Sequence, residues 1–190
     1  MNDDLTLEDA LQLFFTDDKV PDGDGGYSAR WATLKMGAIP LAFPNTKGRQ
    51  AALKLHDLHH IATGYGTDIA GEGQIGAWEV AGGCASHTAA WVLNLLVMAA
   101  GLVLAPRECF RAFVRGRQTR NLYRTPYAEA LELGTVGALR DHLGLGAPAS
   151  PALLPDALAF GFWSVVSVAL QLVVAALVFG PLVALLWLLI

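Results

Sequence analysis

The last 34 residues of the chain, 157–190, contain no charged side chain and consist mainly of Leu, Val, Ala, Phe and Trp. As an α-helix this stretch would be about 51 Å long, whereas the hydrocarbon core of a bilayer is about 30 Å thick. The residues that precede it are too few to bury so long an apolar helix on all sides. The sequence therefore predicts a C-terminal membrane anchor over residues 157–190.

The Gly180-Pro181 pair is expected to kink or break this helix, because proline lacks the amide donor and clashes with the preceding turn. We predict one membrane span over about 157–179, followed by a second apolar segment, 181–190. The second segment either extends the span or lies in the membrane as half of a hairpin. The anchor is thus predicted to be single-pass or a hairpin.

Composition and charge support contact with a membrane. Hydrophobic residues make up 54% of the chain and charged residues 16%, with a mean hydropathy of +0.42; an ordinary soluble domain is about 25% charged. The net charge of −4 argues against nucleic acid as a partner. Six arginines in residues 107–124 form either a solvated helix face or a contact for anionic headgroups, and both interpretations place the globular part on the cytoplasmic side.

A second apolar stretch, residues 89–105, lies inside an uncharged run from 80 to 106. Its seventeen residues are at the lower limit of length for a membrane span. We favour a buried or lipid-facing helix of the globular part, and the alternative is a true crossing.

The rest of the chain predicts short helices and no strand, because no alternation of apolar and polar residues lasts for more than a few positions. A helix begins near Thr6, and further helical patterns cover residues 51–62, 72–81, 126–133 and 136–143. The Gly and Pro density around residues 143–155 is typical of a linker or an ordered turn.

The predicted fold class is all-α: a compact helical domain with a metal-binding helix pair, plus a C-terminal transmembrane helical segment. The predicted units are an acidic N-terminal segment, 1–28; a helical metal- and lipid-binding domain, 29–146; a linker, 147–156; and the anchor, 157–190.

Four residues near the middle of the chain form a candidate metal site. His56 and His60 project from one helix face about one turn apart, a spacing that lets two imidazoles bind one cation. Asp57 adds a carboxylate beside the pair. Glu72 opens the next helix, and three glycines in residues 63–71 allow the chain to reverse and return Glu72 to the histidines. Two imidazoles and two carboxylates suit a divalent metal: zinc, or iron, manganese or cobalt.

Two further residues on these helices have less certain roles. His59 points elsewhere on its helix, where a surface or a ligand-supporting position is expected. Glu79 follows Glu72 by seven residues on the same face, so it either supports a ligand or is an ordinary surface residue.

The connecting loop and the remaining histidines complete the set of candidates. Tyr65 and Asp68 could orient ligands, although solvation of the loop is the simpler explanation for Asp68. His87 and His142 are isolated in the sequence and are assigned no role.

The string HDLHHIATGYGTDIAGE, residues 56–72, resembles the signature of the ubiquinone-biosynthesis family called coenzyme Q protein four. That family is marked by His-Asp-x-x-His, eleven residues and then Glu, commonly with a Thr-Gly-Tyr loop. All four positions match here, at His56, Asp57, His60 and Glu72. A weaker resemblance continues through residues 115–145, so that the similarity covers about residues 36–146.

The resemblance implies an all-helical domain in which the four motif residues hold a divalent metal and carry the catalysis. It also implies a hydrophobic cavity for a polyprenyl tail at a membrane surface. The implied reaction removes the ring carboxylate at C1 of a polyprenylated hydroxybenzoate, coupled to hydroxylation there. The expected partners are this polyprenylated quinone precursor, membrane lipid and other ubiquinone-biosynthesis enzymes.

The residues agree with this class of mechanism. A metal beside an aromatic ring that bears carboxylate and hydroxyl groups can act as a Lewis acid as CO₂ leaves, and the uncharged run 80–106 offers walls for an isoprenoid chain. We favour a metal-dependent decarboxylase or hydroxylase of the lyase type. The alternative is a non-catalytic isoprenoid-lipid-binding scaffold of the same fold, which organises quinone-biosynthesis enzymes around a structural metal.

Overall fold

Helices make up most of this computed structural model, which describes residues 1–17, 27–36 and 39–189. The all-α fold class is confirmed. In the described part of the chain eight helices and two strands follow one another in this order: α1 (Leu7–Asp17), β1 (Trp31–Met36), β2 (Ile39–Pro44), α2 (Lys47–Thr63), α3 (Ile69–Gly82), α4 (Thr88–Leu104), α5 (Pro106–Gln118), α6 (Tyr127–Leu131), α7 (Val136–Leu143) and α8 (Leu154–Leu188).

The two strands form an antiparallel hairpin, so the expectation that the chain has no strand was wrong. Trp31 pairs with Pro44, and Met36 pairs with Ile39. The hairpin is not evident from the sequence because β2 contains prolines, which have no amide hydrogen to donate to a sheet and are poor strand formers. In a two-stranded sheet both strands are edges, where a missing donor is tolerated.

The N-terminal residues form part of the helical domain. The Thr6 hydroxyl accepts a hydrogen bond from the Asp9 amide at 3.1 Å and caps the start of α1. Leu7 and Ala10 of α1 are buried in the same core cluster as residues of α2 and α7, and the Val136 amide donates to the Leu5 carbonyl at 3.0 Å. Residues 1–17 are therefore packed into the domain that was predicted to begin at residue 29.

Helices α3 and α4 cross at very close range. A Cβ atom on Gly73 would lie 2.5 Å from the Cα of Gly101, so both positions need glycine for the two backbones to approach. The α4 helix is packed on this side through Asn94 and Met98, while Val103 near its end is 81% exposed. It is thus a helix of the globular part, and it is shorter than a candidate span.

Among the described residues one helix, α8, is long and apolar enough to cross a membrane, over Leu154–Pro181. Only 6% of its most apolar window is buried, whereas the core helix of a soluble protein would be largely covered. It begins at Leu154, inside the predicted linker 147–156, and continues through Pro181 to Leu188. A kink or a break was predicted at Gly180-Pro181: the break is wrong, because one missing amide donor does not end the helix, and the kink stays a prediction.

The first turns of α8 pack onto the helical domain. Trp163 stacks on Trp91 of α4 with ring centroids 5.2 Å apart, and Phe160 contacts Phe110 and Phe113 of α5 at 5.1 and 5.4 Å. The Arg117 guanidinium also pairs with the Asp156 carboxylate at 2.6 Å. The start of the long helix is therefore held by the domain rather than by a free linker.

Candidate metal centre

The site is built where α2 ends and α3 begins. Gly64 adopts a left-handed conformation, with φ of 77°, and ends α2. The Asp68 side chain accepts a hydrogen bond from the Gly71 amide at 2.7 Å and caps α3. Glu72 follows in the first turn of α3, and the short return brings its carboxylate to the last turns of α2. The three glycines thus reverse the chain as predicted, and the role of Asp68 is to start the helix.

Three of the four predicted ligands converge. The Nε2 atoms of His56 and His60 lie 3.1 Å apart. The Glu72 carboxylate lies 3.5 Å from Nε2 of His56 and 3.3 Å from Nε2 of His60. One ligand atom from each residue lies within 4.8 Å of the others, so the group could hold a metal ion.

Hydrogen bonds at Nδ1 of the two imidazoles determine which ring nitrogen faces the site. Nδ1 of His60 lies 3.1 Å from the Tyr65 carbonyl oxygen, and Nδ1 of His56 lies 2.9 Å from Oε1 of Glu79. Both oxygens are acceptors only, so each Nδ1 carries a proton. Each Nε2 therefore points into the site, toward the Glu72 carboxylate. This is the arrangement in which histidines bind metals, with the second nitrogen donating to a carbonyl or carboxylate.

Asp57 does not belong to the three-residue group. Its side chain is buried, and Oδ2 accepts a hydrogen bond from the Tyr27 hydroxyl at 2.6 Å. Burial raises the pKa of Asp57 to about 6, although the Tyr27 hydrogen bond and the charges of His56 and His60 oppose that shift. The direct role of Asp57 as a ligand stays a prediction; in the structure this carboxylate fixes Tyr27 beside α2.

Behind the site, Glu79 is completely buried and fully hydrogen-bonded. Its Oε1 faces Nδ1 of His56 at 2.9 Å and Nδ1 of His59 at 2.6 Å. Its Oε2 accepts from the Tyr123 hydroxyl at 2.6 Å and from the Asn94 amide. Glu79 is therefore not a surface residue: it is buried against the candidate ligand His56, and its support of a bound metal stays a prediction.

His59 completes this buried network. Its ring is fully buried between Trp78 and Tyr123, with centroids 5.1 Å away in each case. The Leu122 amide donates to Nε2 at 2.8 Å, so Nδ1 carries the proton that bonds to Glu79. His59 thus ties α2 to the segment before α6 and faces away from the candidate ion.

The charges of the site favour a cation at its centre. Burial alone would lower the pKa of His56, but the carboxylates of Glu79 and Glu72 outweigh it and hold this pKa well above the ordinary value. Burial would raise the pKa of Glu72, but hydrogen bonds and charge from His56 and His60 lower it to about 2. The same two carboxylates that stabilise a proton on His56 would stabilise a divalent ion, which binds with release of that proton.

The two remaining histidines lie outside the site. His142 is exposed on α7, and the His87 ring lies 5.3 Å from the Tyr123 ring at the start of α4. Neither belongs to the group of candidate metal ligands.

Sequence reasoning missed Tyr123, Asn94 and Tyr27. Tyr123 reaches Glu79 across 44 positions of the chain, and Asn94 across 15. Asn94 carried the one available signal, since it is a polar residue in the middle of an otherwise apolar helix. An unpaired amide is costly at such a position, so a buried partner could have been expected for it.

Two imidazoles and one carboxylate suit zinc, iron, manganese or cobalt, because this donor set is of borderline softness. The side chains of His56 and Glu72 are 16% and 29% exposed, so one side of the site is accessible from outside. Three protein ligands leave at least one coordination position for water or substrate, as in catalytic rather than structural zinc sites. The arrangement can therefore supply Lewis-acid chemistry to a bound molecule.

Comparisons with known protein families, with curated proteins and with solved structures find no match for this chain.

Proposed function

We propose that this chain is a metal-dependent protein of ubiquinone biosynthesis, which removes the C1 carboxylate of a polyprenylated hydroxybenzoate at a membrane surface. The observation that carries the proposal is the convergence of Nε2 of His56, Nε2 of His60 and the Glu72 carboxylate within 4.8 Å. Their spacing in the chain is that of the coenzyme Q protein four motif, which the sequence resembles.

His56, His60 and Glu72 would hold the ion, and Glu79 and the Tyr65 carbonyl would hold the two imidazoles in the required orientation. A bound metal would act as a Lewis acid toward the carboxylate and hydroxyl groups of the ring. Loss of CO₂ alone leaves a proton on C1; the oxidative course leaves a hydroxyl group and consumes dioxygen and two electrons from an external reductant. The partly exposed side of the site is where the ring would approach.

The position of α8 supports a reaction at the bilayer boundary. Trp163 and Phe160 hold the start of this helix on α4 and α5, while most of its apolar side chains are exposed, for example Leu172 and Leu177. With α8 in the membrane, the domain would remain at its surface, on the cytoplasmic side. A polyprenyl tail could then stay in apolar surroundings while the ring is held at the metal.

Metal content tests the site directly. The purified full chain should hold about one divalent ion. His60→Ala and Glu72→Gln should each lower metal affinity by at least about 10-fold, the lower bound for loss of a supporting residue. The matched controls are His142→Ala and Glu129→Gln, which remove the same groups from exposed positions and should leave affinity unchanged. Equal metal content in the wild type and in His56→Ala/His60→Ala would rule out the site.

Quinone analysis tests the reaction. A cell that lacks the protein should make less quinone and accumulate a precursor that still carries its C1 carboxylate. Restoring the chain with Glu72→Gln should leave that precursor in place, whereas Glu129→Gln should restore quinone. Full rescue by a variant shown to be metal-free would instead favour the scaffold that organises other quinone-biosynthesis enzymes. An unchanged quinone profile in the deletion strain would contradict both functions.

Truncation tests the anchor. The α8 residues that pack on the domain extend to Leu170, so a chain that ends at Gln171 keeps these contacts and loses the more distal apolar turns. We expect this variant to be released by alkaline carbonate, and the full chain to resist extraction. Resistance of the truncated chain would show that another segment, such as α4, holds it in the membrane.

A further inference from the structure

A second candidate binding site lies on another face of α2. A cavity of about 500 Å³ is lined along this helix by Lys47 and Lys54. These residues are seven positions apart and so share one face, whereas His56 is turned about 200° away from Lys54. Further lining residues come from the segment before α6, with Tyr123 and Arg124, and from Tyr127, the first residue of α6.

The lining of this cavity is strongly cationic. Two lysines and one arginine face it, and no Asp or Glu is found among the described residues that line it. Asp57 lies nearby but is not part of the wall; its carboxylate is hydrogen-bonded to Tyr27. A concave surface with charges of a single sign concentrates ligands of the opposite charge.

Within the part of the chain that the structure describes, no carboxylate pairs with these cations, Lys47, Lys54 and Arg124. The Lys54 ammonium lies over the Tyr27 and Tyr127 rings, 5.2 and 5.4 Å from their centroids. Aromatic faces hold an ammonium in position but leave its full charge. Lys54 is therefore ordered and still able to bind an anion.

The other lining residues indicate what kind of ligand the cavity could bind. Tyr123, Tyr127 and Leu55 provide aromatic and aliphatic walls, and Gln50 adds a hydrogen-bonding group. The volume falls within the range of about 300–1,000 Å³ that is usual for small-molecule sites. Three cations around one cavity suit an anion with at least two negative charges, and the guanidinium of Arg124 can bind two oxygens of such a group at once.

We propose that this cavity binds a small multivalent anion, in which a phosphate or carboxylate group meets Lys47, Lys54 and Arg124 and an apolar body packs against Tyr123 and Tyr127. The proposal is independent of the function proposed for the metal centre, since none of the three cations is a candidate metal ligand. The two sites are nevertheless adjacent, because the Tyr123 hydroxyl donates to Glu79, which supports His56.

Three probes separate the parts of this proposal. Phenyl phosphate carries both the dianion and an aromatic body, inorganic phosphate carries the dianion alone, and benzyl alcohol carries the body alone. Binding to the full chain in neutral detergent is followed by calorimetry at constant ionic strength. We expect phenyl phosphate to bind most tightly, inorganic phosphate more weakly and benzyl alcohol not measurably.

Charge-reversal variants locate the binding. Arg124→Glu and Lys47→Glu, both at exposed positions, should weaken phenyl phosphate by at least about 10-fold, because a charge-assisted contact of this kind contributes more than 1.4 kcal/mol. The matched control is Arg111→Glu, which makes the same change of charge on the exposed face of α5 and should leave binding within about 2-fold of the wild type. Melting curves identify any variant that fails to fold, and Arg124→Gln then replaces Arg124→Glu.

A second arm identifies the source of the anion. The full chain is reconstituted in neutral vesicles with and without phosphatidic acid, and phenyl phosphate is titrated into both. Weaker binding of the probe in the anionic vesicles, dependent on Arg124, would identify a lipid headgroup as the occupant; equal binding would identify a soluble anion. The proposal is overturned if no probe binds, or if Arg111→Glu weakens binding as much as Arg124→Glu.

Discussion

Glu72 and Glu79 lie two turns apart on the same face of α3, and both contact His56, yet their surroundings differ greatly. Glu79 is completely buried, and each of its oxygens faces two partners: the ring nitrogens of two histidines on one side, and Tyr123 and Asn94 on the other. Glu72 is 29% exposed at its side chain and faces the Nε2 atoms of His56 and His60. Protein groups thus satisfy both oxygens of Glu79. Glu72 instead belongs, with His56 and His60, to a group that could hold a metal ion.

The difference in burial and hydrogen bonding suggests different roles for the two carboxylates: Glu79 supports a histidine, and Glu72 is a candidate metal ligand. A buried carboxylate is tolerated only when its hydrogen bonds are satisfied, and Glu79 meets that condition with protein groups alone. The group around Glu72 instead brings a carboxylate next to the Nε2 atoms of His56 and His60. In the metal-free protein a proton on His56 balances the charge of the carboxylates, and a divalent ion would take the place of that proton. The hydrogen bonds of Glu79 therefore hold the His56 ring in place, and this fixes the position of its Nε2 relative to His60 and Glu72.

The largest expected effect comes from breaking the buried network. Glu79→Ala leaves the buried polar groups of His59, Tyr123 and Asn94 without their shared acceptor, and we expect it to lower the free energy of unfolding by about 3–5 kcal/mol. Denaturant unfolding of the full chain in detergent measures this. Glu129→Ala, an exposed change on α6, should stay within about 0.5 kcal/mol. A loss as small as that of the control would mean that Glu79 is not a structural centre.

The site was predictable from sequence to the extent that its geometry is local. His56 and His60 share a helix face by their spacing, and the glycines between them and Glu72 allow the return of the chain. The apolar composition of α8 likewise indicated a long exposed helix. These features depend on a few neighbouring residues, so the sequence displays them directly.

The support of the site was not predictable, because it depends on distant segments. The position of Glu79 on its helix face was clear, but its depth is set by Asn94 on α4 and by Tyr123 before α6. The Leu122 amide that fixes the tautomer of His59 lies 63 positions away and leaves no pattern. The hairpin was missed for a different reason, since Pro40 and Pro44 are unfavourable in a strand unless it lies at an edge.

A smaller effect should distinguish Glu72 from Glu79 through pH. The pKa of Glu72 is about 2 in the folded protein, against an ordinary value of 4.5, so the folded state binds this proton less readily than the unfolded state. Ionised Glu72 therefore stabilises the fold fully above about pH 4.5, and this contribution is lost as the pH falls toward 2. In the metal-free protein it corresponds to about 3 kcal/mol at neutral pH.

Glu72→Gln should accordingly be less stable than the wild type at pH 7 by about this amount, and the two proteins should converge as the pH approaches 2. Urea unfolding of both metal-free chains at several pH values between 2 and 7 measures the difference. Glu129→Gln serves as the control and should follow the wild type at every pH. A constant difference between wild type and Glu72→Gln across this range would contradict the electrostatic link between Glu72 and the two histidines.

The smallest effect should come from removing one contact of Glu79 while the other three remain. Tyr123→Phe deletes only the hydroxyl that donates to Oε2 at 2.6 Å. We expect it to lower the free energy of unfolding by about 1.5–3 kcal/mol, the usual range for a hydrogen bond to a charged group. Metal affinity should fall less than in Glu72→Gln, because His56 keeps its bond to Oε1 and its orientation. Unfolding and metal titration on the same preparation measure both effects. If Tyr123→Phe weakened metal binding as much as Glu72→Gln, Glu79 would have to contact the ion itself, and the separation between a supporting and a binding carboxylate would fail.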